Sequence, residues 1–193
     1  MTLALVDLGC GNLGSVAVAL ERFGVTSMIT ADPDVIEDAD KVLLPGVGAA
    51  GYAMAQIESL GLVPVLRRLT QPVLGICLGM QLLFDRSDED DTVGLGLISG
   101  EVRRLTPALG RPVPHMGWSK LQVMCEDLGV SDGDYVYFAH SFAADVGPWV
   151  VASADDGQPI PAIIRQRNFT GAQFHPERSG APGARFLDAW LNA

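Results

Sequence analysis

Short apolar runs alternate with stretches of helical period along the first half of the chain. Residues 2–6 (Thr-Leu-Ala-Leu-Val) run apolar up to Asp7 and predict a first strand. Between Leu13 and Phe23 the apolar residues at 13, 16, 17, 20 and 23 mark one helix face, and Gly24 follows as a C-cap. Residues 25–29 predict a second strand. Asp32-Pro33 predicts a helix start with proline at its first position. Residues 41–44 predict a third strand, and 49–70 a helical stretch broken near Gly61. Residues 72–76 predict a fourth strand, and 78–84 a helix. Strands alternating with helices imply βαβ units and a parallel sheet.

After about residue 98 the texture changes to short β-rich segments separated by turns. Strands are expected at 102–105, 118–123, 135–140, 149–154, 162–166 and 170–174, with Arg167-Asn168-Phe169 as a hairpin connection. A last helix over 184–191 would bury Phe186, Leu187, Trp190 and Leu191. The expected fold class is α/β. A mostly parallel central sheet flanked by helices is followed by a more antiparallel C-terminal part, all in one domain over residues 1–193.

Composition narrows the function classes. At 193 residues with 48% hydrophobic and 19% charged positions, the chain has enough apolar material for a proper core. No apolar run approaches the ~20 residues of a membrane span. The segment Met1 to Asp7 meets an acid too early for a secretory signal, so a cytoplasmic location is expected. A formal net charge of −10 argues against nucleic acid as a partner. Three sparse cysteines, Cys10, Cys77 and Cys125, give no disulfide framework, and no Cys or His spacing suggests zinc. Cys10 and Cys125 are expected to be packing or loop thiols, and no metal or cofactor is expected.

Candidate chemistry gathers at Gly75-Ile76-Cys77-Leu78-Gly79, between predicted strand and helix. A Gly-x-Cys-x-Gly turn there has the form of a nucleophile elbow. Its glycines tolerate a sharp turn and close chain approach, and the following helix start favours thiolate. A small residue chosen to fit a tight turn is the plain alternative. A catalytic cysteine needs a base, and the histidines are His115, His140 and His175. In His175-Pro176-Glu177 the two titratable residues are two apart, so an extended chain points both to one side. A carboxylate beside imidazole orients it and stabilises its protonated form. Pro45-Gly46-Val47-Gly48 follows the third strand, where backbone N–H groups are well placed for an oxyanion. Gly9-Cys10-Gly11-Asn12-Leu13-Gly14 invites a dinucleotide reading, but no acid ends the second strand. It is read as a tight turn or a ligand or partner loop. Ser87-Asp88-Glu89-Asp90-Asp91 reads as an acidic loop.

These segments carry a resemblance. Gly75 to Gln81, His175-Pro176-Glu177 and Leu44-Pro45-Gly46-Val47-Gly48 together resemble a class I, triad-type glutamine amidotransferase. Asp7 to Leu13, Pro114-His115-Met116-Gly117-Trp118, His140-Ser141-Phe142 and Gln173 to Gly180 are similar to one branch of it. That branch is the glutaminase subunits of imidazole glycerol phosphate synthase, in histidine biosynthesis. The match runs in order from residue 3 to 180. Leu8, Ser119 and Ala50 depart from the branch's pattern, and none is in the triad.

The resemblance implies Cys77 as nucleophile, His175 as acid and base, and Glu177 as its orienting carboxylate. It implies an oxyanion site from Leu78 and the Gly46, Val47, Gly48 peptides, and glutamine contacts from Gln81, Glu89, Ser141 and Phe142. It further implies a heterodimer with a (βα)8-barrel cyclase that receives the ammonia and binds the nucleotide substrate. Asn12, Pro114, His115, Met116 and Trp118 are placed at that junction. A Val47 peptide between glycines could be mis-set at rest and completed when the cyclase is loaded. Three alternatives stay open: a glutaminase serving another synthase, such as pyridoxal phosphate synthase; another Cys-His hydrolase; and a non-catalytic interaction subunit on the same fold.

Overall fold

The computed structural model describes residues 1–9, 12–125, 128–155 and 157–193. Cys10 and Gly11, and with them the expectation for Cys10, lie outside the described residues. The first strand, β1 (Leu3–Val6), is buried along its length. Leu3 and Leu5 enter one apolar cluster, Ala4 and Val6 another. Successive side chains point to opposite faces, so a strand covered on both sides is apolar at every position. This is why residues 2–6 show no polar alternation.

The order continues as α1 (Leu13–Glu21), β2 (Ser27–Thr30), α2 (Pro33–Asp38), β3 (Lys41–Leu44), α3 (Ala50–Ser59), α4 (Leu62–Arg68), β4 (Val73–Ile76), α5 (Leu78–Gln81), β5 (Phe84–Ser87) and β6 (Thr92–Val93). Then come β7 (Ile98–Arg104), β8 (His115–Val123), β9 (Tyr135–His140), β10 (Phe142–Ala144), β11 (Val150–Asp155), β12 (Pro159–Gln166), β13 (Phe169–Ala172) and α6 (Gly180–Asn192). Asp32 accepts from the Asp34 N–H and caps α2, with Pro33 in its first turn. Gly61, at φ +67, separates α3 from α4, the break expected there. No helix among the described residues is long and apolar enough to cross a membrane.

Among the described residues the main sheet has nine strands in the order β2-β1-β3-β4-β13-β12-β11-β8-β9. From β2 to β13 neighbours are parallel; from β13 to β9 they are antiparallel. The predicted division between the two halves of the chain thus appears side by side within one sheet. Two apolar clusters cover its faces, one including residues of α1 and α6, the other residues of α2, α3 and α4. Lys41, buried at the start of β3, donates to the Trp190 and Ala193 carbonyls and ties down the end of α6.

Several expectations are corrected. The helix predicted over 78–84 ends at Gln81, and Phe84 begins β5. β5 belongs to a second, four-stranded sheet ordered β10-β7-β5-β6, in which β5 runs parallel to β7 and antiparallel to β6. A run of apolar residues alone does not separate a buried helix from a buried strand; pairing with residues 98–102 decides it. Strands β7, β8 and β12 also begin before their predicted starts, at Ile98, His115 and Pro159.

Candidate active site

The register of the parallel strands places the site. Leu44 of β3 pairs with Gly75 of β4, and Ala172 of β13 pairs with Ile76. The three strands therefore end together. Just beyond their ends lie Pro45 to Gly48, Cys77, and Gln173 to Glu177. Loops beyond the carboxyl ends of parallel strands are where α/β sheets place ligands.

Cys77 itself carries the backbone strain, at φ +52 and ψ −110. Gly75 and Gly79 do not have positive φ; they permit close approach instead. A Cβ on Gly79 would lie 1.9 Å from the Leu44 carbonyl oxygen, and one on Gly75 would lie 2.6 Å from that of Gly79. The elbow thus packs backbone on backbone against its own strand and the loop after β3. The helix after Cys77 is only four residues long, so its dipole is small. Positive charge near the sulfur has to come from elsewhere.

It comes from His175. Its Nδ1 hydrogen-bonds Glu177 Oε1 at 2.9 Å, and Cys77 is the other group that acts on its protonation. Burial works to depress its pKa. The influences of Cys77 and Glu177 outweigh that and raise it to about 10. His175 therefore stays protonated through neutral pH. The chain does not stay extended after His175, as the sequence suggested. Pro176–Arg178 is a 3-10 turn, and that turn brings Glu177 back to the ring.

A cavity of about 300 Å³ opens over the sulfur, at the small end for ligand pockets. Val47, Gly48, Cys77, Leu78, Gln81, Glu89, Ser141 and Phe142 line it, together with Pro114, Met116, Ala139 and His140. Eight residues singled out for catalysis, the oxyanion or glutamine thus share one cavity. Gly46 packs beside it, against Leu78 and Gly79. The Leu78 N–H points at the Gly46 carbonyl, 3.4 Å away. Gln81 spends its amide on the Phe142 carbonyl (2.7 Å) and on Gln173 Oε1 (2.9 Å). Glu89 Oε2 accepts the Ala50 N–H at 2.8 Å, serving the first turn of α3, whose Ala49 N-cap has no side-chain bond. Burial raises the Glu89 pKa, the Ala50 bond opposes this, and Asp90 adds to it.

Two residues beside the site lie within the Gln173–Gly180 segment but were given no role from the sequence. Gln173 is fully buried and donates to Cys77 Sγ at 3.7 Å while accepting from Gln81. It stands two residues before His175, and the same alternation argument would have marked it. Ser179 is also fully buried; its Oγ accepts the Tyr137 N–H and donates to the His175 carbonyl.

The expected partner junction divides. Met116 (64% exposed), Trp118 (54%) and Pro114 are open to solvent; Pro114 and Met116 line the cavity, and Pro114 follows a cis peptide. Asn12 is exposed and caps α1 by accepting the Ser15 N–H. His115 is instead buried, on the opposite face of β8 from Met116 and Trp118, because residues alternate sides along the strand. Of the departures from the resembling pattern, Leu8 and Ala50 are buried, and Ser119 bonds His115. Gly9, Gly11 and Gly14 stand at dinucleotide-turn spacing, but β2 ends at Thr30 without an acid, and Asp7 takes the Gly9 N–H for itself. Cys125 is half-buried against the main core cluster.

A family model, glutamine amidotransferase class-I, matches residues 4–191. The imidazole glycerol phosphate synthase subunit HisH of Escherichia coli K12 is 46% identical over 99% of both chains. The HisH subunit of Salmonella typhimurium is 44% identical over the same shares. Among solved structures, one of a glutamine amidotransferase superposes with a TM-score of 0.76, at 22% identity over 97% of this chain and 98% of its own. PurLQS of Thermotoga maritima does so with a TM-score of 0.73, at 20% identity over 99% and 97%. These structural likenesses speak for the fold.

Proposed function

This chain belongs to the class I glutamine amidotransferases, and from that premise we propose that it is the glutaminase subunit of an imidazole glycerol phosphate synthase. It is an enzyme of histidine biosynthesis that releases ammonia from glutamine for use by the rest of its complex. The observation that carries the chemical reading is the meeting of a strained cysteine elbow with a buried His175–Glu177 pair.

In this reading the Cys77 thiolate, held beside the His175 imidazolium, attacks the side-chain amide carbon of glutamine. The carbonyl becomes an oxyanion, stabilised by N–H groups of Leu78 and the Gly46-Val47-Gly48 loop. His175 gives its proton to the leaving nitrogen, the C–N bond breaks, and ammonia departs from a glutamyl thioester. His175, now neutral, takes a proton from water, whose oxygen attacks the thioester. Glutamate leaves, and the thiolate–imidazolium pair is restored. Glu177 orients the ring throughout. Gln81, Glu89, Ser141 and Phe142 hold the glutamine head group.

The partner in this reading is a cyclase (βα)8-barrel forming a heterodimer, docked over Pro114, Met116 and Trp118 and reaching Asn12. Ammonia passes directly to it, because in water it would be protonated and lose its nucleophilic lone pair. One glutaminase domain accounts for residues 1–193, and the complex works in the cytoplasm. The Leu78 N–H facing the Gly46 carbonyl supports a resting state with one oxyanion donor engaged internally. Loading the cyclase would then turn the 46–48 peptides and free that donor.

The test is glutamate release by the chain alone, with its cyclase, and with cyclase plus nucleotide ligand, using Cys77→Ala as control. Activity that rises sharply with the loaded partner and vanishes in Cys77→Ala is expected. Equal rates with and without the loaded partner would remove the gating. No release in any combination would remove the glutaminase.

A further inference from the structure

Strands β8 and β9 pair with His115 opposite His140, and the two rings meet inside the protein. His115 Nδ1 lies 3.3 Å from His140 Nε2, and His140 Nδ1 lies 2.8 Å from the Phe142 carbonyl oxygen. A carbonyl only accepts. Nδ1 of His140 therefore carries the hydrogen, and in the neutral ring Nε2 is the acceptor. His115 must donate to it through Nδ1–H. That leaves His115 Nε2 to accept from the Ser119 hydroxyl, 2.9 Å away. One carbonyl thus sets two tautomers and a hydroxyl.

Both ends of this chain matter. At the inner end the Phe142 carbonyl accepts from His140 and also from Gln81. Two donors clamp the Phe142–Ala143 peptide, just after Ser141 and Phe142 in the wall of the cavity over Cys77. At the outer end Ser119 is half-buried and next in sequence to the exposed Trp118. Phe138 stacks on His115 at 5.0 Å and holds the ring between them.

Charge is set by the same arrangement. His140 is approached by His115 from β8 and by His175 from beyond β13, while Cys77 and Glu89 line the same cavity. A proton on His140 Nε2 would point at the N–H of His115. Burial and the two neighbouring histidines push its pKa down to about 4 against the bond to Phe142. The site then holds one imidazolium, on His175.

We propose that Ser119, His115 and His140 are positioning residues for the glutaminase reaction, a hydrogen-bonded chain that fixes the Ser141–Phe142 wall against the bound glutamine and keeps His140 neutral beside His175. The proposal rests on the glutaminase reading. Ser119 is one of the positions that departs from the resembling pattern, where asparagine is expected; an amide N–H can fill the same donor role.

The experiment uses the complex with cyclase and nucleotide ligand, and compares Ser119→Ala with Ser119→Asn. In Ser119→Ala, KM for glutamine should rise about tenfold with kcat within about twofold, since an acceptor loses its donor. The acid limb of kcat/KM should also move to higher pH. Without the Ser119 hydroxyl as its donor, His115 Nε2 can take the hydrogen, and its Nδ1 can then accept from a protonated His140. Ser119→Asn should restore both. Unchanged KM and acid limb in Ser119→Ala would overturn the proposal, as would a defect that Ser119→Asn leaves in place. Nitrogen-15 histidine NMR of the full chain reads the tautomers without activity. Nδ1–H on both His115 and His140 is expected, and Nε2–H on neutral His140 would overturn the proposal even in an active enzyme. Expected tautomers with no glutamine hydrolysis by the complex would overturn it together with the glutaminase reading.

Discussion

His175 Nδ1 stands 2.9 Å from Glu177 Oε1, and only 8% and 5% of the two side chains are exposed. The ring cannot turn without leaving a carboxylate unpaired in the interior, which is costly. Its other edge is therefore held towards Cys77. Glu177→Gln keeps the shape but removes the charge that favours the imidazolium. Its kcat for glutamine hydrolysis should fall about 10²-fold or more, with a smaller change in KM. Steady-state kinetics of the loaded complex checks this, and a rate within twofold of wild type would remove the orienting role.

Two histidines should shape stability against pH from opposite sides. The unfolded value for histidine is about 6.5. His175 is raised to about 10 in the folded chain, so the native state binds more protons above 6.5. Its contribution is full below 6.5 and is lost as pH rises through about 10. His140 is lowered to about 4, so the unfolded state binds more protons below 6.5. Its contribution is full above 6.5 and is lost as pH falls through about 4. Urea midpoints measured from pH 4 to 10 should show both limbs. His175→Asn should flatten the alkaline limb and His140→Asn the acid one. In Cys77→Ala the His175 ring should titrate at lower pH, because two of the influences raising its pKa are gone.

Gly79→Ala puts a carbon against a backbone carbonyl that no side-chain rotation can relieve, 1.9 Å from the Leu44 oxygen. The loop after β3 and the elbow must separate, at a cost of about 1–3 kcal/mol or more. Gly14→Ala in α1 meets nothing within 4 Å and should be neutral or slightly stabilising. Thermal melts of the two variants side by side test the contrast. Equal melting temperatures would mean that close approach is not what Gly79 provides.

Glu89 joins the cavity wall to the start of α3 through the Ala50 N–H. Glu89→Ala should cost about 1 kcal/mol of stability, as an uncapped helix start does, and should raise KM for glutamine. Glu89→Gln keeps an acceptor and should recover most of the stability. Denaturant unfolding and glutaminase kinetics on both variants separate the capping role from glutamine binding. A KM unmoved in Glu89→Ala would leave only the cap.

Much of this was legible in the residues because it is local. The βαβ alternation follows from periods of two and 3.6 residues, and the apolar run of β1 follows from cover on both faces. The elbow is a five-residue backbone event, and His175 and Glu177 are joined by one turn. Cys77, His175 and Glu177 could therefore be singled out as candidates from side-chain type and short spacing alone.

Tertiary structure decided what depends on partners far apart in sequence. Insertion of β13 beside β4 is what brings His175 to Cys77, and no periodicity encodes which strands become neighbours. Phe84 became a strand residue because β7 was there to pair with it. Gln173 reached Cys77, and His115 turned inward to His140, through registers set across the sheet. A sequence determines each residue's chemistry and local conformation directly, because those depend on its own atoms and near neighbours. Burial, protonation and contact depend on what the rest of the chain packs against it, and that is settled only when the sheet closes its order.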